Sequence, residues 1–191
     1  TFGYYFNQHL ADSLNNCKAL IILVFGMIFN KPLGNSLNNC TALSILVFGR
    51  CFNKPLGNAL DNCVSLTCIE FGDGFNRPLD NVLDNCTALT NLTFGYYFNQ
   101  PLINCFNNCT SLTHIKFGDG FNQPLGNALD NCTSVTYLGL GCNFKQKCNL
   151  PFSIRFLSLN CNNTYLVDYL PDTIEELELG ELFNLDLCNC P

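Results

Sequence analysis

Fourteen cysteines and two histidines, His9 and His114, are the side chains best suited to attack a substrate, relay a proton or hold a soft metal in this 191-residue chain. The pair to defend for nucleophilic catalysis is His114, with Lys116 beside it, and Cys68, which stands 46 residues earlier. For metal binding, Cys142, Cys148, Cys161, Cys188 and Cys190 gather near the C-terminal end. They lack the paired C-x2-C spacing of a structural zinc site. No glycine-rich phosphate loop or paired-carboxylate constellation stands out. Asn39-Cys40-Thr41, Asn91-Leu92-Thr93 and similar triplets fit the glycosylation acceptor pattern, but most of them simply repeat one motif.

Composition narrows the function classes. Net charge is −6, from nine Lys+Arg against fifteen Asp+Glu, which disfavours phosphate neutralisation and hence nucleic-acid binding. The longest apolar run, Ala19 to Phe29, is eleven residues, and a bilayer crossing takes about 20. Neither a membrane span nor a cofactor is expected.

The chemistry-bearing residues belong to a repeat. Cys17, Cys40, Cys63, Cys86, Cys109 and Cys132 are each 23 residues apart. The same step carries the pairs Phe6-Asn7, Phe29-Asn30, Phe52-Asn53, Phe75-Asn76, Phe98-Asn99 and Phe121-Asn122. Such strict periodicity means one supersecondary unit stacked many times. Within each unit the end of L-x-x-L-x-F alternates, as in Leu92-Thr93-Phe94, which predicts a short strand with one buried face. Glycine ends the strand, and the Pro, Gly and Asn that follow break any long helix. The expected fold is a mostly β, single-domain parallel solenoid with an irregular convex side. Regular repeats occupy 1–141. Degenerate repeats of 19–20 residues and an acidic end occupy 142–191 of the same solenoid. Eight full strands and a partial first unit are expected. With rungs about 4.8 Å apart, Cys68 lies roughly 10 Å from His114, too far for a nucleophile–base hydrogen bond. An enzyme is therefore not expected.

The unit L-x-x-L-x-F-G-x-x-F-N-x-P-L resembles the FNIP repeat, a leucine-rich-repeat subclass of social amoebae and giant DNA viruses. The stretch Leu170 to Gly180, followed by Phe183-Asn184, is especially similar. Units such as Asn108 to Leu112 also resemble the bacterial-surface type of leucine-rich repeat. The resemblance implies the solenoid fold. Some viral members carry an F-box before their repeats, and none is visible in this sequence. The chain lacks an initiator Met and opens in mid-repeat, as a piece of a longer or processed product would.

The repeated columns are expected to be structural. The Phe residues form a ring ladder along the axis. The Asn amides repair the backbone where it leaves the sheet. The Cys side chains run parallel and stay reduced, which fits a reducing compartment such as the cytoplasm, or a virion assembled there. Function is expected in the outward strand positions. Before the middle Leu these read Ile22, Ile45, Cys68, Asn91, His114, Tyr137, Phe156 and Glu176. After it they read Val24, Val47, Glu70, Thr93, Lys116, Gly139, Ser158 and Glu178. Ile22, Val24, Ile45 and Val47 form an apolar block expected to meet a partner, a second copy or a covering segment. Asn91, His114, Lys116 and Tyr137 complete the expected protein-binding face. Two functions follow: a non-catalytic interaction scaffold, or a structural subunit, for example of a virus particle, that self-associates through the apolar strands.

Overall fold

The structure, a computed structural model, describes residues 1–187. Its strands are β1 (Ile22–Val24), β2 (Ile45–Val47), β3 (Cys68–Glu70), β4 (Asn91–Thr93), β5 (His114–Lys116), β6 (Tyr137–Leu140), β7 (Phe156–Leu159) and β8 (Glu176–Leu179). They form one parallel sheet in chain order. Ile22 pairs with Ile45 and Ile45 with Cys68, one 23-residue step each. The step shortens where Tyr137 pairs with Phe156 and Phe156 with Glu176. Parallel neighbours joined by irregular return paths make a solenoid, and each rung buries its apolar side on the next.

The middle strand residues Leu23, Leu46, Ile69, Leu92, Ile115, Leu138 and Leu157 point inward and are buried. Behind them lie two phenylalanine columns rather than one. Phe48 and Phe52 stack 4.1 Å apart within a rung, while Phe48–Phe71 and Phe52–Phe75 stack at 5.3 and 6.0 Å between rungs. Near-parallel rings at this spacing gain offset-stacking contact, and Phe52 and Phe75 are fully buried.

The Asn column follows a fixed hydrogen-bond rule. Asn53 N donates to Asn30 Oδ1, Asn76 N to Asn53 Oδ1 and Asn99 N to Asn76 Oδ1, each at 3.0 Å. Each amide oxygen thus accepts the backbone donor of the next rung, where the chain has left the sheet. Gln100 Nε2 adds a bond to Asn76 Oδ1 at 2.8 Å. A second ladder runs through the threonines. Thr67, Thr90 and Thr113 hydroxyls donate to the carbonyls of Ser44, Thr67 and Thr90 at 3.0–3.1 Å on the strand entry side. Replacing Asn76 with Ala strands the Asn99 N–H, at a cost of about 1–3 kcal/mol. Urea unfolding should show that loss. Asn76→Asp, which keeps an acceptor oxygen, should recover most of it.

The strand-ending glycines have a stricter role than termination. A Cβ at Gly26, Gly49, Gly72, Gly95 or Gly118 would overlap the main chain of the glycine one rung before. The return side runs through consecutive i→i+3 turns, such as Cys40 N to Leu37 O at 2.9 Å and Leu43 N to Cys40 O at 3.1 Å. The return path between β7 and β8 adds a short helix that the repeat pattern does not encode, α1 (Thr164–Asp168). Asn163 caps it by accepting from Leu166 N at 3.3 Å, and Leu166 and Val167 are buried. The terminal strand β8 is less covered, with Leu177 half-buried and Glu176, Glu178 and Leu179 exposed. Charge on an outer strand discourages further stacking.

Candidate functional site

The strand face alternates as a half-buried sheet should. The apolar block at its start is less open than the bare sequence suggests, and this corrects the expectation of an exposed foursome. Ile22 is 50% exposed, while Val24, Ile45 and Val47 are half-buried. Val24 is covered from the preceding partial unit, where Phe2 N donates to Val24 O at 2.8 Å, and Ile45 and Val47 have neighbouring branched side chains on β1 in register beside them. Ile21, 58% exposed, joins Ile22 at this edge. It precedes the strand, so its alternation gave no signal.

Farther along, Asn91, His114 and Lys116 are exposed and Tyr137 is half-buried. The sheet brings the last three together. The His114 ring stacks on Tyr137 at 5.6 Å, and His114 Nδ1 shares a 2.8 Å hydrogen bond with Thr113 Oγ1. Lys116 lies against Gly139, whose lack of a side chain makes room for it. Cys68 is not part of this group, since β4 separates its strand from β5. Burial, then the neighbouring Glu70 carboxylate, pushes the Cys68 thiol up, the reverse of nucleophile activation.

At the strand exits a groove of about 780 Å³ runs over Gly95, Gly118 and Gly141, walled by Tyr96, Lys116 and Glu178. The glycine floor exists because rungs stack backbone on backbone there. Asp73 and Asp119 on its rim are partly engaged, accepting from Tyr96 N at 3.3 Å and Cys142 N at 3.0 Å. Of the residues expected to bind a partner, Lys116 alone lines this groove. Its signal, Gly-Asp-Gly in two units, was visible but indistinguishable from turn chemistry.

Cys40, Cys63, Cys86, Cys109 and Cys132 are buried and Cys17 half-buried, and all are free thiols. Burial above all pushes Cys63, Cys86 and Cys109 up to about 12. Sγ of Cys132 donates to Phe106 O at 3.7 Å. Cys142, Cys148 and Cys161 are also free, and Cys188 and Cys190 lie outside the described residues. Among the described residues no three His, Cys, Asp or Glu side chains are grouped to hold a metal. Among them, too, no helix is long and apolar enough to cross a membrane.

Residues 32–136 match the BspA-type leucine-rich-repeat region, in six copies. The chain belongs to this family. Among solved structures it is similar to CroV588, a circular leucine-rich-repeat protein of a giant virus, with 29% identity and a TM-score of 0.66 over 90% of this chain and 32% of that one. It is also similar in fold to an internalin, InlF, from Listeria monocytogenes, with 15% identity and a TM-score of 0.60 over 93% of this chain and 60% of that one. A chain of the Drosophila Toll–Spätzle complex matches at 18% identity and a TM-score of 0.58, over 90% of this chain and 28% of that one. This chain therefore spans less than two thirds of each of these leucine-rich-repeat proteins. No curated protein sequence matches it.

Proposed function

We propose that this chain is a non-catalytic scaffold whose open strand face holds another protein. One observation carries the reading: inward columns repeat the same residue types rung after rung, while the outward row changes from Ile22 through Asn91 and His114 to Glu176. A face under packing constraint alone has no need of that variety. Proteins of this repeat class commonly serve interaction, and the Toll–Spätzle complex is one in which such a chain takes part. We place the chain in a reducing compartment, the cytoplasm, because its buried thiols are unpaired.

A second reading is a structural subunit that self-associates through β1 and β2, with a virion as the alternative location. It draws on Ile21 and Ile22, open at the outer edge of the sheet, and on the likeness to a giant-virus protein. Membership of the FNIP subclass belongs with these proposals. It rests on Leu170 to Gly180, with Phe183-Asn184, which lies outside the family match.

Light scattering on the parent and a Val24→Glu/Val47→Glu variant separates the two readings. A concentration-dependent oligomer that the variant reduces to a monomer supports self-assembly. Two monomers support the scaffold. A protein captured by the parent and lost with His114→Ala/Lys116→Glu would then place the partner on the strand face. Retention of that protein by the variant would remove these residues from the site.

A further inference from the structure

The drop from a 23-residue to a 19-residue step between β6 and β7 leaves a defect on the return side, opposite the strand face. The path Pro124 to Cys132 has no full-length successor to cover it. A cavity of about 420 Å³ results, walled by Leu125, Leu129, Leu150, Pro151 and Phe152. Its size falls within the usual range of small-molecule sites, and its lining is chiefly apolar with a few polar groups, as theirs are. The core is thinner here: Leu129 and Leu150 are 5% and 8% exposed, whereas the earlier column members Leu37, Leu60 and Leu83 are fully covered.

Three features describe what would fill it. Phe152 stands at the rim with 80% of its surface exposed, a large apolar ring with nothing packed on it. Its loop is held in place, since Arg155 Nη1 donates to Phe152 O at 2.9 Å and Ile154 N to Pro151 O at 3.1 Å. Asp130, exposed, is the one charged side chain in the wall. An apolar body against the leucines and the ring, with a positive head at the carboxylate, satisfies all of these.

We propose that this cavity binds a small amphipathic cation, with its hydrocarbon part between Leu125, Leu129 and Phe152 and its charged end at Asp130. The site is separate from the strand face and does not depend on the scaffold reading.

The test uses two probes with one tail length and opposite heads, octylammonium and octanoate, titrated into the full chain by calorimetry at neutral pH. Octylammonium should bind one per chain, and octanoate at least about tenfold more weakly, a ratio that one nearby charge readily supplies. Asp130→Asn should bring the two probes to within about threefold of each other. Phe152→Ser, a change at an exposed position that leaves the far-ultraviolet dichroism intact, should weaken octylammonium by about tenfold or more. Equal binding of both probes to the parent, no saturable binding, or unchanged binding after either substitution would overturn the proposal. So would a dimer that Phe152→Ser converts to monomer, because the cavity would then be an interface between copies.

Discussion

Gly72→Ala should unfold this protein, and Gly3→Ala should leave it essentially unchanged. The two glycines occupy the same repeat position. At Gly72 an added methyl overlaps the Gly49 carbonyl and sits 2.8 Å from Arg50 Cα, whereas at Gly3 nothing lies within 4 Å. The clash is with backbone, so no side-chain rotation relieves it. Separating the two rungs would stretch the bonds that hold them, Phe48 N to Glu70 O at 2.8 Å and Gly74 N to Arg50 O at 2.7 Å. Because each rung is stabilised chiefly by its neighbours, a fault in the middle breaks the stack into two short pieces. We expect a loss of more than about 4 kcal/mol for Gly72→Ala and a change within about 0.5 kcal/mol for Gly3→Ala. Urea midpoints of the two variants measure the contrast, and equal midpoints would refute the backbone-stacking account.

The second large effect is loss of stability in alkali. Cys63, Cys86, Cys109 and Cys148 are held up to about 12 by burial, against an ordinary value of 9.0. Above pH 9 the unfolded chain releases these protons while the folded chain keeps them. The unfolded state then binds fewer protons, so stability falls as pH rises, through the window from 9 to 12. Each such thiol contributes a slope of about 1.4 kcal/mol per pH unit in that window, and four act together. A sharp alkaline transition is expected, with thiolate absorbance rising as the far-ultraviolet dichroism is lost. Cys63→Ala/Cys86→Ala should flatten the slope even though it removes some packing. The same burial makes the column inert near neutrality. A thiol reagent at pH 8 should label exposed Cys51 first, with the buried column appearing only on unfolding. Six or seven disulfides found by mass spectrometry would instead overturn the free-thiol reading and the reducing compartment inferred from it.

The solenoid was legible because its information is periodic. When a residue recurs every 23 positions, its neighbour along the axis is its own counterpart, so a column's environment can be written down before any coordinates exist. The parallel sheet with buried Leu46, Ile69 and Leu92 follows from that rule, as do strands β1 to β6, while β7 and β8 were legible only from the looser apolar pattern of the late repeats. The Asn column is partly of this kind. The need for an acceptor where the chain leaves the sheet is written in the repeat, but the direction, oxygen to the next rung's N–H, came from the geometry.

What the chain alone determined, then, is the stack itself: the step, the strand positions and the residue types facing in and out, because an inward place every 23 residues admits few side chains. What only the tertiary structure decided lies where unlike things meet. Shading of Val24, Ile45 and Val47 depends on the units beside them, not on their alternation. The glycines face the carbonyls of another rung, a distance that no local preference encodes. The cavity under Phe152 arises because four residues are missing from one return path, and a deletion in sequence becomes a space only when the neighbouring rung is full length.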